Sequence, residues 1–194
     1  MSQEIEIEFK NMLTKDEFLF LKKKLNLNAS DFVTQHNDYF DTDHFILKDQ
    51  RSALRIREKA GHFVFTLKQP HKIGLLETHQ TLSYEHVQTF FLSKTLPDGE
   101  VVSKLRALSI PLSSLQHLGR LTTERAEIAL PEGHLALDHS SYFDQEDYEL
   151  ELETTDFERG QAHFSKLLND WELPVRKAEN KLFRFFTYKT KNNL

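Results

Sequence analysis

Residues 3–10 read QEIEIEFK, in which Ile5, Ile7 and Phe9 alternate with Glu4, Glu6, Glu8 and Lys10. A β-strand sends successive side chains to opposite faces, so this stretch has one apolar face and one charged face. The pattern returns near the other end of the chain. There Glu149, Glu151 and Glu153 alternate with Tyr148, Leu150 and Leu152. Between the two rows, Arg55, Arg57 and Lys59 share one strand face, as do Thr66 with Lys68 and Arg125 with Glu127.

One wet face is ordinary for an antiparallel sheet and accounts for any single strand. It does not account for the set. Like charges along one face stand ~7 Å apart and repel, so cations must offset them. Two carboxylate rows from opposite ends of the chain point to a shared partner. If the sheet closes, about eight strands enclose a lumen wide enough for side chains or one small ligand. Unpaired buried charge there is costly. A ligand that is anionic and carries a metal removes the conflict, and triphosphate with Mg2+ or Mn2+ is such a ligand. Arg offers forked donors to phosphate oxygens, and carboxylates offer the hard oxygens these metals prefer.

Working outward, residues 3–10 are followed by a predicted helix over 15–26. Thr14 and Glu17 form a capping box, Leu13 and Phe18 stand at staple positions, and Phe18, Leu21 and Leu25 make the apolar face. Tyr39, Phe40 and Asp41 read as a short extended piece. Residues 52–59 and 62–69 read as a hairpin around Ala60 and Gly61, and 75–82 as a further strand. Ser83 caps a helix carrying Val87, Phe90 and Phe91, and 101–108 reads as another short helix. Three strands follow, over 120–130, 134–140 and 147–154, the first two joined by Pro131, Glu132 and Gly133. Thr155 with Glu158 reads as the cap of a helix facing inward with Phe164, Leu167, Leu168 and Trp171. After Pro174 a last helix carries Leu182, Phe183, Phe185 and Phe186. Residues 189–194 read as a frayed end. Strands in hairpin-linked groups favour an α+β layout over βαβ units: a closed antiparallel eight-stranded β-barrel, a tunnel, with helices packed outside. No repeat or linker appears, so residues 1–194 read as one domain.

The bulk numbers exclude several classes. With 39% hydrophobic and 28% charged residues the chain is globular, and no stretch approaches the ~20 apolar residues of a membrane span. The acidic, strand-like start predicts no signal peptide. The absence of Cys removes disulfides and thiolate metal sites and makes a cytoplasmic location the default. A net charge of −5 argues against nucleic-acid binding but leaves room for an anion held by a local cationic cluster. The ten His are scattered without an HExxH pattern, so none is assigned to metal. No Gly-rich phosphate loop, GxGxxG or GxSxG occurs. The oligomeric state stays open, a homodimer included.

The ordered motifs resemble one family. Glu6, Glu8 and Lys10 form an ExExK signature. Tyr39-Phe40-Asp41-Thr42, Leu54-Arg55-Ile56-Arg57, Thr66-Leu67-Lys68, Arg125, Asp138 and the late run from Glu149 to Glu153 follow in the same order. Together they resemble the CYTH superfamily of triphosphate tunnel metalloenzymes, which includes class IV adenylyl cyclases and thiamine triphosphatase. The resemblance runs from Glu4 to about Arg184. It implies that Arg55, Arg57, Lys68, Arg125 and Lys181 hold phosphate oxygens, and that Lys10 either does likewise or orients the first Glu pair. It implies metal ligands among Glu6, Glu8, Asp138, Glu149, Glu151 and Glu153. Glu149 with Glu151 and Glu151 with Glu153 both satisfy the late ExE, so Glu151 belongs to either choice. Glu4 and Asp41 have milder claims, and Asp41 has a plainer reading as a turn cap. Lys177, Lys181 and Arg184 are spaced to share one helical face, where Lys177 and Arg184 read slightly better as solvated than as ligands. Glu77 and Glu127 read as partners of neighbouring strand cations.

The expected activity is metal-dependent triphosphate hydrolysis on a small-molecule substrate. Inorganic tripolyphosphate leads, since no base-reading pocket is evident. Thiamine triphosphatase and class IV-type adenylate cyclase are the alternatives within the family, and a non-catalytic polyphosphate or phosphorylated-ligand binder is the alternative outside enzymes.

Overall fold

The computed structural model describes residues 3–192, so Asn193 and Leu194 of the expected frayed end lie outside the described residues. The elements in chain order are β1 (Gln3–Leu13), α1 (Lys15–Lys24), β2 (Phe32–Thr42), α2 (Ile46–Asp49), β3 (Ala53–Lys59), β4 (His62–Pro70) and β5 (Leu75–Leu82). They continue with α3 (Tyr84–Ser93), α4 (Glu100–Ala107), β6 (Leu115–Leu130), β7 (Gly133–Tyr142), β8 (Gln145–Thr154), α5 (Phe157–Asp170) and α6 (Lys181–Lys191). The strands close into a barrel in the order β1-β5-β4-β3-β2-β6-β7-β8, which is the expected fold class. The pairs β1–β8, β2–β3, β3–β4, β4–β5, β6–β7 and β7–β8 are antiparallel.

The chain forms two compact units. One holds Gln35–Leu121 with the start of β1 up to Ile5. Its core packs Leu54 and Ile56 of β3 and Phe65 and Leu67 of β4 against Val87 and Phe90 of α3 and Val101, Val102 and Leu105 of α4. The alternate residues Arg55, Arg57, Thr66 and Lys68 therefore occupy the opposite, inner face. The β3–β4 hairpin turns at Ala60 and Gly61, both with positive φ (51° and 76°), as a two-residue turn matched to strand twist requires.

The other unit holds Glu6–Thr34 and the chain from Thr122 onward. Leu135 and Leu137 of β7 and Tyr148, Leu150 and Leu152 of β8 pack with Leu13, Phe18, Leu21, Phe164 and Leu168. That fixes Asp138, Glu149, Glu151 and Glu153 on the inner face. The capping box of α1 is present: Glu17 N donates to Thr14 Oγ1 at 3.2 Å, and Thr14 N donates to Glu17 Oε2 at 2.8 Å.

Several expectations need correction. β2 runs eleven residues where only a short extended piece was expected, and β6 begins five residues early, at Leu115. The cap of α5 is Asp156, whose Oδ1 accepts from Arg159 N at 3.0 Å, and not Thr155. Helix α6 begins at Lys181, because Asn180 caps it by accepting from Phe183 N at 2.7 Å. Lys177 therefore lies outside the helix, where it makes a bridge to Asn11. At its other end α6 stays helical to Lys191, past the point where fraying was expected.

Candidate active site

In the unit built from β6, β7, β8 and most of β1, acids and bases interlock on the inner face. Arg125 of β6 grips Asp138 of β7 with two hydrogen bonds, Nε to Oδ1 at 2.7 Å and Nη2 to Oδ2 at 2.6 Å, and it also reaches Glu151 of β8. Register explains the geometry, since Arg125 pairs directly with Asp138 and Asp138 with Glu149. Lys181, at the first turn of α6, sits among three carboxylates: Glu151 at 2.5 Å, Asp138 at 2.8 Å and Glu149 at 2.9 Å. Arg184, one turn on, bonds Glu149 and Asp147, each at 2.8 Å. Lys10 of β1 contacts Glu8 at 2.7 Å and lies 3.8 Å from Glu151, its register partner.

Burial works against the charge on Lys181, but Asp138, Glu151 and Glu149 outweigh it and hold the ammonium protonated. Burial likewise opposes ionisation of Glu151, and Lys181, Arg125 and Lys10 pull its carboxyl well below the usual range. Such a network is strongly destabilised when one member is removed, by about 3–5 kcal/mol, because its partner is left as a buried bare charge.

Toward the β1 start of the same unit, Glu6, Glu8, Glu127, Glu151 and Glu153 line one cleft with Arg125, His134 and Ala136. Five carboxylates face a single guanidinium there. Like charge gathered at this density favours a bound cation, and a donor set dominated by carboxylate oxygens suits a hard divalent ion. Glu151 and Glu153 line this cleft, whereas Glu149 is fully buried against Lys181 and Arg184.

The other unit carries the remaining expected cations. Arg55 and Arg57 stand half-buried on β3, with Arg57 Nε donating to Asn37 Oδ1 of β2 at 2.9 Å. Lys68 of β4 forms an ion pair with Glu77, opposite it on β5. Asp41 is committed to backbone: its carboxylate accepts from Thr42 N at 2.7 Å, Leu47 N at 2.9 Å and Lys48 N at 3.0 Å, seating α2. The turn-cap reading describes it. Glu4 stands exposed beside His79, whose Nε2 lies 3.0 Å from Glu4 Oε1.

Lys177 is solvated, its side chain 86% exposed. Arg184 is the reverse of the solvated reading, being buried in the carboxylate network. Glu77 pairs with a strand cation as expected. The sequence reading passed over His79, His134 and Asn37. The signal for His79 was its spacing, since Glu77 and His79 stand two apart on a strand and share a face.

Fold and site define a closed β-barrel with basic residues on its inner faces and, within one of its two units, a carboxylate-lined cleft. The chain belongs to the CYTH domain family, which it matches over residues 4–186. It is 48% identical over 192 residues to the Bacillus subtilis (strain 168) protein described as "Putative triphosphatase YjbK", covering 99% of this chain and 100% of that one. A crystal structure of a Bacillus halodurans protein, described as a "putative adenylate cyclase", superposes with a TM-score of 0.92 at 50% identity, covering 96% of this chain and all of the other. A Hippeastrum protein, HpAC1, described as having a dominant triphosphatase activity, shares the fold at a TM-score of 0.77 and 23% identity, covering 94% of this chain and 96% of the other. No described helix is long and apolar enough to cross a membrane.

Proposed function

We propose that this protein hydrolyses a small-molecule triphosphate with the help of a divalent metal, inorganic tripolyphosphate being the first candidate. The observation that carries this reading is the acidic cleft of Glu6, Glu8, Glu127, Glu151 and Glu153 around Arg125. The relative named a triphosphatase, matched over its full length, supports it. In this reading Glu6, Glu8, Glu151 and Glu153 hold Mg2+ or Mn2+. Arg55, Arg57, Lys68 and Arg125 hold phosphate oxygens, with Lys10 and Lys181 supplying charge behind them. Asp138 and Glu149 serve as buried counter-charges that fix Arg125, Lys181 and Arg184 in place.

When bound, the metal supplies charge neutralisation at the phosphate oxygens and a more acidic water. The chain's own residues do the rest. Arg55 and Arg57 offer guanidinium donors to phosphate oxygens, while Arg125, whose Nε and Nη2 grip Asp138 and Glu151, contributes its remaining Nη1 and its charge. Phosphoryl transfer needs little covalent assistance, so positioning and electrostatics carry the rate. Against the opposing effect of burial, Lys181, Arg125 and Lys10 hold the Glu151 carboxyl well below its usual range, which favours the carboxylate form that a metal ligand needs. We further propose that the chain acts as one domain in the cytoplasm, since one family match spans 4–186 and no Cys requires an oxidising compartment.

The test is phosphate release by purified protein from tripolyphosphate, thiamine triphosphate and ATP in parallel, with Mg2+, with Mn2+ and with chelator. Chelator-sensitive release from tripolyphosphate is expected. Release indifferent to chelator overturns the metal assignment, and tight binding without product makes the protein a binder. Cyclic AMP from ATP would move it to the cyclase branch named by the Bacillus halodurans relative.

A further inference from the structure

We propose that Glu4, Glu77 and His79 form a separate cation site that takes a divalent transition metal of the Zn2+ kind. The three residues lie in the unit containing β3, β4 and β5, and each offers one ligand atom, all within 4.8 Å of one another. His79 Nε2 stands 3.0 Å from Glu4 Oε1 and 3.4 Å from Glu77 Oε2. Ligands around a four-coordinate ion at ~2.0–2.2 Å are roughly 3.2–3.6 Å apart, so small side-chain adjustments close the shell.

The imidazole is already oriented for this. Its Nδ1 lies 3.0 Å from Thr66 Oγ1, a hydroxyl that can accept the Nδ1 proton. A metal-bound His characteristically gives its other N–H to such a partner, which fixes ring and tautomer. With the proton on Nδ1 alone, the Nε2 lone pair faces two carboxylates, and a cation held between them turns that repulsion into attraction. The backbone supports the geometry from both sides. Thr66 pairs with His79 and Lys68 with Glu77 in the β4–β5 register. Gln3 Nε2 donates to Thr78 Oγ1 at 2.9 Å, which pins the start of β1 beside β5 and holds Glu4 next to His79.

The donor set selects the ion. One imidazole with two carboxylates, and positions left for water, suits Zn2+ or its first-row neighbours far better than Mg2+, which prefers oxygen and dehydrates reluctantly. This distinguishes the site from the cleft, where carboxylates outnumber the one imidazole five to one. Lys68, on the other oxygen of Glu77, limits the net negative charge and so favours a divalent ion of ordinary affinity.

The experiment uses the full chain with 15N-labelled His and Zn2+ alone as the probe, followed by imidazole 1H–15N correlation spectra at neutral pH. One equivalent of Zn2+ is expected to shift the His79 Nε2 resonance, identified by its loss in His79→Gln, while equal Mg2+ leaves it in place. Glu4→Gln, an exposed position, is expected to weaken the response about tenfold or more. A His79 ring that ignores Zn2+ in the wild-type protein overturns the proposal, as does a Glu4→Gln protein with unchanged affinity. Glu6→Gln separates this site from the hydrolytic reading: it should abolish phosphate release there and leave the His79 response intact.

Discussion

At the scale of single residues, Glu151 has two duties. Its carboxylate lines the acidic cleft and also neutralises Lys181, Arg125 and Lys10. Glu151→Gln should therefore raise the metal concentration needed for turnover and also lower stability by about 3–5 kcal/mol, because buried cations lose their partner. Phosphate release against metal concentration, with urea unfolding of the same samples, checks both; an unchanged stability would place Glu151 outside the network. Asp38 gives a cleaner pH test because its carboxylate is held by His117 and Arg120 and not by a proposed metal ligand. Burial pushes its carboxyl up, but hydrogen bonds from His117 at 2.9 Å and Arg120 at 3.1 and 2.7 Å outweigh that and hold its pKa below the usual value. A depressed acid contributes stability above its unfolded pKa of ~3.9 and loses it as pH falls through the folded value. Asp38→Asn should cost about 1–3 kcal/mol at pH 7, and the gap to the wild type should narrow below about pH 4. Urea midpoints at pH 7 and pH 3 decide it; a gap that widens in acid refutes the assignment.

At the scale of elements, α1 is held at its first turn by the Thr14–Glu17 box and by Arg176, which reaches Glu17 with Nη1 to Oε2 at 2.6 Å and Nη2 to Oε1 at 3.0 Å. Thr14→Ala should lower stability by about 1 kcal/mol and the melting temperature by about 2–4 °C, with phosphate release unchanged. A thermal melt beside the activity assay measures this. That box was readable because capping is a local contract between residues three apart. Strand alternation was readable for the same reason, so β1, β3, β4, β5 and β8 came out close to their true limits. β2 was not. Gln35, Asn37, Asp38 and Asp41 are all buried along it, on both faces, and their tertiary partners (Arg57 for Asn37, Arg120 and His117 for Asp38, the α2 backbone for Asp41) replace the apolar period. The short α2 depends on Asp41 in the same way and had no period of its own. For the site, residue types and faces were legible, but allocation among them was not. Which Glu of the late run lines a cleft and which anchors Arg184 depends on α6, and the spacing of Lys177, Lys181 and Arg184 could not reveal that Asn180 starts the helix after Lys177.

At the scale of the whole molecule, the net charge of −5 repels an anion at long range, so affinity must come from cations gathered at short range and from the metal. That requirement makes ligand-linked stability the informative observable. A ligand that binds only the folded protein, at a hundred times its dissociation constant, adds about 2.7 kcal/mol. For a chain of this size that corresponds to a rise of about 5–11 °C in melting temperature. Tripolyphosphate with Mg2+ should produce such a rise, and chelator should shrink it. Arg55→Ala should melt within about 2 °C of the wild type without ligand, because Arg55 stands on the face of β3 opposite the packed Leu54 and Ile56. With ligand it should lose most of the rise, and its turnover should fall about a hundredfold or more, as expected when a donor to the developing charge is removed. Differential scanning calorimetry with and without ligand, paired with phosphate release, distinguishes the cases. If Arg55→Ala keeps the full ligand-induced rise, Arg55 does not touch the substrate. If it instead melts far lower while hydrolysing in proportion to its folded fraction, its charge serves the barrel and not the phosphate.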